Sequence, residues 1–346
     1  MRCLPAIFAL ILGFPILALA DTRADFLKMI DRPRVSLNPI VTAMDSKDPA
    51  FTEFHIVITV AENRPVPAIL LKPATTEAGK RFPVVIALHG TGGNKESELP
   101  FLRDAVAKGF IAVAIDAPYH GERSKKGKGE EDYEAAILRA FETPDTDPAK
   151  EHPFFYDTVF DVMRLIDYLQ TRDDVDPAHI GLYGVSKGGI ETYLAAAIDT
   201  RIAVAVPCIS LESFKWALDN NQWKPRTGTI PHAFDAAAKS ANVANPDSAF
   251  VHDFYARVAP QLDGQFDGPA MVTFIAPRPL MTINGELDPR TPPASLQLCI
   301  DAAKSAYHAA NADDHFLVRI EPKTAHKVTP DSQAAAIDWF VKWLKP

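Results

Sequence analysis

The sequence predicts an α/β fold in which a mostly parallel, twisted sheet is covered by helices on both faces. Short apolar strands alternate with amphipathic helices through the second half of the chain, a pattern typical of parallel strands joined by helices. The segments at residues 82–89 and 110–117 are almost continuously apolar, as expected of strands buried on both faces. The chain has 346 residues, 47% of them hydrophobic, which suffices for one large domain with insertions.

The first twenty residues have the features of a secretory signal peptide. Arg2 precedes an apolar run at residues 4–19, and Ala18 and Ala20 supply the small residues that signal peptidase reads. The apolar run is short for a bilayer span. We therefore expect cleavage after Ala20, a secreted or periplasmic location, and no membrane span in the mature chain.

An arm and a hairpin follow this leader. Residues 21–50 contain three prolines and predict an irregular arm or a short helix, and residues 51–346 make up the main domain. Apolar and β-branched runs at residues 54–61 and 66–72 predict a β-hairpin. This hairpin would place an antiparallel edge beside the parallel sheet.

The remaining elements alternate along the chain, because apolar runs of strand length are followed by segments with helical spacing. The predicted strands are residues 82–89, 110–117, 179–185, 202–208, 279–284 and 316–321, and the predicted helices are residues 96–108, 155–172, 188–199, 293–309 and 332–344. Two long segments, at about residues 119–153 and 209–277, interrupt the alternation. Long insertions of this kind usually form lids and pocket walls, so we expect a lid from both.

Composition and charge exclude some classes of function. The formal net charge of −8 disfavours nucleic-acid binding, which needs clustered Lys and Arg. The sequence contains no recognisable metal-binding motif. Cys208 and Cys299 would be the two cysteines of an exported chain, and their positions on a strand end and a helix disfavour a disulfide. The sequence carries no signal of an oligomeric state.

The segment Gly-Val-Ser-Lys-Gly at residues 184–188 is the strongest catalytic signal. It directly follows a predicted strand and begins a predicted helix. A serine hydroxyl is a weak nucleophile that needs exposure and a base, and a sharp strand-to-helix turn provides the exposure. Glycines on both sides relieve the crowding of such a turn because they lack a Cβ atom. We therefore predict that Ser186 is a nucleophile.

The predicted base and acid come later in the chain. His326 lies between the last strand and the last helix, and Asp288 follows the preceding strand. The order serine, acid, histidine is the one expected when the nucleophile occupies a strand-to-helix turn. Glu286, which is closer to the end of the strand, is the alternative acid.

An oxyanion hole needs backbone N–H groups directed at developing negative charge. The amide of Lys187, at the start of a helix, is one candidate donor. The amide of Thr91 is the other, because it lies in the glycine-rich loop of residues 90–93 after a buried strand. The alternative is a plain turn. This loop matches neither the dinucleotide-binding nor the Walker pattern.

Four further residues are candidate substrate contacts. Tyr119 and His120 follow the strand at residues 110–117, and Trp216 and Trp223 lie in the second insertion. Each has a structural alternative: His120 would hold its own loop, and the aromatic rings would be buried packing.

These motifs together resemble the α/β-hydrolase superfamily. They are most similar to the branch of dienelactone hydrolases, acetyl xylan esterases and prolyl-oligopeptidase-type catalytic domains, over roughly residues 50–346. The matching positions are His89-Gly90-Thr91-Gly92-Gly93, Asp116, His120-Gly121, Gly184, Ser186, Gly188, Gly285, Asp288 and His326. A dienelactone hydrolase has a cysteine nucleophile where this chain has Ser186, so a lactone substrate is not implied.

The resemblance implies the α/β-hydrolase fold, a Ser-Asp-His mechanism, no cofactor, and small-molecule or carbohydrate-linked ester substrates. His326 would take the proton of Ser186, and the resulting acyl-enzyme would be cleared by water. Three alternatives remain open. A peptidase or amidase would use the same triad, an acyltransferase would pass the acyl group to an alcohol, and a non-catalytic binding protein would usually have a broken triad.

Overall fold

The computed structural model describes residues 15–46, 48–74, 77, 79–125 and 129–345. Residues 1–14 of the predicted signal peptide lie outside the described residues. The predicted cleavage site after Ala20 falls within the first described helix.

Nine strands form one mixed sheet in the described part of the chain, in the spatial order β1-β2-β3-β5-β4-β6-β7-β8-β9. The strands are β1 (Ile40–Met44), β2 (Phe51–Ala61), β3 (Arg64–Pro73), β4 (Phe82–Leu88), β5 (Ile111–Ile115), β6 (Val175–Val185), β7 (Ile202–Cys208), β8 (Leu280–Gly285) and β9 (Phe316–Glu321). The six strands from β5 to β9 in this spatial order are parallel, and β1, β2 and β3 run antiparallel to their neighbours. The predicted hairpin is therefore confirmed.

Twelve α-helices lie within the described residues. They are α1 (Pro15–Ile30), α2 (Leu99–Ala107), α3 (Gly129–Glu142), α4 (Tyr156–Gln170), α5 (Lys187–Ile198), α6 (Phe214–Asp219), α7 (Lys224–Thr227), α8 (Pro231–Ser240), α9 (Ser248–Val258), α10 (Gly268–Met271), α11 (Pro293–Ala309) and α12 (Pro330–Leu344). No described helix is both long enough and apolar enough to span a bilayer.

Alternating side chains of the central strands divide the core into two layers. In β4, Val84 and Ile86 belong to a large cluster with α4, α5 and the helices of the second insertion. Val85 and Ala87 belong to a second cluster with α2 and α12. Because both faces of β4 are covered, its residues are apolar on both faces, as parallel sheets require. The α/β-hydrolase architecture predicted from the sequence is thus present.

The edge of the sheet differs from the prediction. Residues 21–50 were expected to be an irregular arm or a short helix. They contain the second half of α1, and they also contain β1, which was not predicted and pairs with β2. All five residues of β1 are exposed, so the strand has no alternation of buried and exposed residues that would reveal it. Phe26 and Ile30 of α1 are buried in the larger core cluster, which fixes the arm to the domain.

The loops that matter for function meet at one edge of the sheet. The carboxyl ends of β4 and β6 lie side by side, as do those of β8 and β9, with β7 between the two pairs, as shown by the pairings Leu88–Gly184 and Gly285–Glu321. In open α/β sheets ligands bind outside these carboxyl ends. The same edge carries the two insertions, of which the first contains α3 and the second contains α6 to α10.

A substitution at Leu182 tests how much the buried core of the sheet contributes to stability. Its side chain is fully buried in β6, so Leu182→Ala should lower the free energy of unfolding by about 2–5 kcal/mol. Leu298→Ala is the matched control, because Leu298 is 43% exposed and its loss should change stability by only about 0.5 kcal/mol. Urea unfolding followed by fluorescence measures both, and equal effects would contradict the assigned core.

Candidate active site

Ser186 occupies a strained turn between β6 and α5. Its φ and ψ are 56° and −113°, a backbone conformation that is costly for a residue with a side chain. The Ser186 amide donates to the Cys208 carbonyl at 2.9 Å, and the Ser186 carbonyl accepts the first helical bond from Ile190 at 3.0 Å. These bonds hold the turn on both sides while the serine side chain projects from it.

Steric contacts require a glycine two residues before and two residues after Ser186. A Cβ atom on Gly184 would collide with the Gly188 carbonyl, and one on Gly188 would collide with the Leu88 carbonyl at the end of β4. The turn therefore packs directly on the neighbouring strand. This contact explains the Gly-x-Ser-x-Gly spacing without reference to function.

Ser186, His326 and Asp288 form a continuous line of hydrogen bonds. The His326 Nε2 atom lies 2.8 Å from the Ser186 Oγ atom, and the His326 Nδ1 atom lies 2.7 Å from the Asp288 Oδ2 atom. An ionised Asp288 accepts from Nδ1–H, which leaves Nε2 unprotonated and able to accept the serine proton. Ser186 is 8% exposed and the His326 side chain 14% exposed, so the line can be reached from solvent.

The structure brings Asp288, and not Glu286, to the histidine. The Glu286 carboxylate accepts from the Lys323 amide at 2.7 Å, so it fastens the loop before His326. Asp288 accepts from the Arg290 amide at 2.9 Å as well as from His326. The loops that carry Asp288 and His326 also pack closely, since a Cβ atom on Gly285 would collide with the Thr324 and Ala325 carbonyls.

Burial sets the ionisation of His326. It lowers the pKa of His326 below the ordinary value, and Asp288 opposes this effect through its hydrogen bond and charge. Burial would raise the pKa of Asp288, but the bonds from His326 and the Arg290 amide hold it below the ordinary value. At neutral pH the pair is therefore a neutral imidazole beside a carboxylate.

The loop after β4 lies beside the serine. A Cβ atom on Gly90 would be 3.6 Å from the Ser186 Cβ atom, so the glycine allows the loop to approach. Thr91 is half-buried in this turn. Lys187 is the first residue of α5, and the first amides of a helix have no partner within the helix. Both predicted oxyanion donors thus belong to segments that flank Ser186.

Two buried histidines hold this loop. His89 donates from Nδ1 to the Gly90 carbonyl at 2.8 Å and accepts at Nε2 from the Ala117 amide at 3.1 Å. Burial, together with the charge of Lys187, lowers the pKa of His89 to about 3, so the ring is neutral and keeps both roles. His120 donates to the Pro118 carbonyl at 2.9 Å and lies 3.4 Å from the Gly92 amide.

His120 therefore has the structural position that was the alternative to substrate contact. It is fully buried, and its ring lies 4.9 Å from that of His89. Below these histidines, the buried Asp116 accepts from the amide and the ammonium of Lys95, both at 2.9 Å. The loops after β4 and β5 are consequently joined by side chains from each.

The side chain of Lys187 is directed into the core. Its ammonium pairs with the Glu191 carboxylate at 2.5 Å and lies 5.4 Å above the Tyr133 ring, and both charged groups are buried. Because the ammonium is already paired with the Glu191 carboxylate, the backbone amide is the group that Lys187 can offer to a substrate.

The three aromatic candidates occupy different environments. Trp223 is buried and packs on Phe234 with ring centroids 5.8 Å apart, so it belongs to the core of the second insertion. Trp216 is half-buried and follows the helix cap made by Ser213. Tyr119 has a φ of 65°, donates to Glu151 and lines a cavity of about 390 Å³ together with Arg64.

Sequence reasoning missed a buried ion pair next to the acid loop. The Arg226 Nε atom lies 2.6 Å from the Glu212 Oε1 atom, and the two side chains are only 4% and 1% exposed. Arg226 also donates to the Arg290 carbonyl at 3.0 Å. This contact links the second insertion to the loop of Asp288. No local pattern could reveal this contact, because Arg226 and Arg290 are 64 positions apart in the sequence and meet only in the folded chain.

Neither a metal site nor a disulfide is part of this arrangement. The described residues contain no cluster of three or more His, Cys, Asp or Glu side chains suited to a metal ion. Cys208 and Cys299 are both buried free thiols, as their positions on a strand end and a helix had suggested.

The geometry supports nucleophilic chemistry at a carbonyl carbon. A hydroxyl, an imidazole and a carboxylate are connected in the order that activates the hydroxyl, and the Gly90 loop and the start of α5 flank the serine.

Comparison with known proteins agrees with this chemistry. Residues 27–222 match the acetyl xylan esterase (AXE1) family, and residues 157–311 match the fungal glucuronyl esterase family. The chain is 26% identical over 291 residues to YtaP, a Bacillus subtilis protein named as a hydrolase, and the match covers 80% of this chain and 83% of YtaP.

Two solved structures establish the fold independently. The acetyl xylan esterase from Paenibacillus sp. R4 superposes with a TM-score of 0.64 at 21% identity, covering 95% of this chain and 94% of that one. The glucuronoyl esterase from Solibacter usitatus superposes with a TM-score of 0.63 at 18% identity, covering 100% and 98%. The predicted α/β-hydrolase fold is thereby confirmed.

The pKa of His326 provides a direct test of the site's electrostatics. We expect a pKa below the ordinary value for histidine, because burial disfavours the charged ring, so the ring should become protonated only at a pH below that of a solvent-exposed histidine. Asp288→Asn should lower this pKa further, because the carboxylate is what favours the charged imidazole. NMR titration of the His326 ring nitrogens measures both values, and a rise in the variant would contradict the assigned pairing.

Proposed function

Because the chain belongs to the acetyl xylan esterase family, we propose that it is an exported serine esterase that removes acyl groups from a xylan-type polysaccharide. The family match spans residues 27–222, more than half of the chain. Membership makes the protein a carboxylic ester hydrolase. The catalytic residues, the polysaccharide substrate and the export are parts of the proposal.

The observation that carries the proposal is the line from Ser186 through His326 to Asp288. A carboxylate bonded to Nδ1–H fixes the tautomer of the imidazole and stabilises its protonated form. Because burial lowers the pKa of His326, the ring is neutral, as a general base must be, at neutral pH.

The proposed reaction proceeds in two steps. His326 takes the Ser186 proton while the Oγ atom attacks the ester carbonyl carbon, and the alcohol leaves with that proton. Water, deprotonated by His326, then attacks the acyl-enzyme and releases the acid and free Ser186. The amides of Lys187 and Thr91 are the proposed donors to the oxyanion in both steps.

A second candidate substrate is the ester of a uronic acid. The match to the glucuronyl esterase family covers residues 157–311, which include Ser186 and Asp288. A relative from Hypocrea jecorina, named 4-O-methyl-glucuronoyl methylesterase, is 27% identical over 185 residues, 52% of this chain and 38% of its own length. The match to the acetyl xylan esterase family is longer, so we place the acetyl ester first.

The proposal retains two of the four candidate substrate contacts. Tyr119 and Trp216 are partly accessible and are retained as candidate contacts for the sugar or the acyl group. Burial of His120 and Trp223 favours structural roles for both.

Acetate release tests the reaction. We expect the mature enzyme to release acetate from acetylated xylan and 4-nitrophenol from its acetate ester, and Ser186→Ala to lower kcat by about 10⁴-fold or more. A fluorophosphonate probe should label the wild type and not the variant. Wild-type turnover by Ser186→Ala would refute the nucleophile, and preference for a methyl glucuronoate or a short peptide would refute the acetyl substrate.

Export of the protein can be tested separately from its activity. The apolar run at residues 4–19 and the small residues before Asp21 support cleavage after Ala20. When the full chain is expressed with a bacterial secretion system, the exported protein should begin at Asp21 by mass spectrometry. Cleavage there would keep Phe26 and Ile30 in the core. Recovery of an uncleaved chain in the cytosolic fraction of the producing cells would contradict the proposal.

A further inference from the structure

Two arginines lie beside the proposed acid and base. Arg290 is two residues after Asp288, and its amide donates to the Asp288 carboxylate at 2.9 Å. Arg226 reaches the same loop from α7 and donates to the Arg290 carbonyl at 3.0 Å. The charges of both arginines lower the pKa of His326, so both are within electrostatic range of the catalytic imidazole.

The two guanidinium groups differ in how their charges are balanced. The Arg226 guanidinium is buried against Glu212, with 2.6 Å between Nε and Oε1. The Arg290 guanidinium is half-buried and makes no hydrogen bond or ion pair within the part of the chain that the structure describes. Asp288, the acid closest to it in sequence, is already bonded to His326.

This arrangement is unfavourable in the absence of a ligand. Burial lowers the pKa of Arg290 and the charge of Arg226 lowers it further, while Asp288 opposes them. Arg226 is balanced by Glu212, whereas Arg290 is half-buried and has no bonded carboxylate. An unpaired cationic group beside a proposed catalytic site is a candidate binding group for an anion.

Neither nearby carboxylate forms an ion pair with Arg290 in the described part of the chain: Asp288 is bonded to His326, and Glu286 accepts from the Lys323 amide. In a chain with a formal net charge of −8, Arg290, Lys323 and Lys327 place three cationic side chains in the loops that carry Asp288 and His326.

We infer that Arg290, held in place by Arg226, is a specificity-determining residue that binds a carboxylate on the substrate. A guanidinium group presents two parallel N–H donors that match a carboxylate. In an esterase of polysaccharides, the substrate class that carries such a group is an acidic oligosaccharide containing uronic acid residues. The preferred substrate is then an acyl ester on an acidic xylan chain rather than on a neutral one.

This inference rests on the proposed esterase function, and binding can be measured without turnover. Ser186→Ala protein should bind a glucuronic-acid-substituted xylo-oligosaccharide about tenfold more tightly than the unsubstituted one in calorimetry, because only the former offers a carboxylate to the guanidinium group. Adding Arg290→Gln should abolish this difference. Equal binding of the two oligosaccharides would overturn the inference, even if both acetylated forms are hydrolysed.

Steady-state kinetics distinguish a role of Arg290 in substrate binding from a role in positioning Asp288. For acetylated acidic oligosaccharides, Arg290→Gln should raise KM about tenfold with little change in kcat, because an interaction common to ground and transition states is lost. Arg290→Lys should restore part of the affinity. An equal fall in kcat on acidic and neutral substrates would assign Arg290 a purely structural role and overturn the inference.

Arg257→Gln provides the matched control. Arg257 lies on α9, about half exposed and paired with Asp253, so its loss should leave the ratio of acidic to neutral substrate unchanged. Raising the salt concentration should reduce the wild-type preference for the acidic substrate, since ions screen exposed charges, and should leave that of Arg290→Gln unchanged. Absence of any ester hydrolysis by the wild type would instead refute the proposed function.

Discussion

The site depends on one close approach, that of the β6–α5 turn to the end of β4. Ser186 can hold a positive φ only because Gly184 and Gly188 admit backbone carbonyls where side chains would collide. The same approach brings the Gly90 loop to the serine. The proposed nucleophile and the loop of one proposed oxyanion donor are therefore held against each other by backbone contacts.

Rigidity around this contact comes from charged and polar groups that are satisfied inside the protein. His89 bridges the Gly90 carbonyl and the Ala117 amide as a neutral ring, and Asp116 is bonded to Lys95. Removing one partner of such a buried pair costs more than the pair contributes, because the other charge is left unsolvated. The loops after β4 and β5 thus support the site without touching the reacting atoms.

The sequence predicted the features that are local in the chain. Ser186, Asp288 and His326 could be proposed as a catalytic set because each follows a predicted strand, and parallel strands bring such positions to one edge. Strand β1 was missed because its five residues are all exposed and show no periodicity. The sequence left both a pocket and a core position open for Trp223 and His120, since an aromatic or histidine side chain has the same sequence signature in either place. The Glu212–Arg226 pair arises from tertiary packing of an insertion, which no spacing encodes.

The Glu212–Arg226 pair connects the second insertion to the loop of the proposed catalytic acid. Through the Arg290 carbonyl, Arg226 contacts the loop that also supplies Asp288, so the insertion and the proposed catalytic acid share one support. Arg226 and Arg290 lower the pKa of His326, whereas Asp288 raises it. A carboxylate bound at Arg290 would offset the arginine charges and make the imidazole more basic. Recognition of an acidic substrate and activation of Ser186 would then be coupled by electrostatics, without a change of conformation.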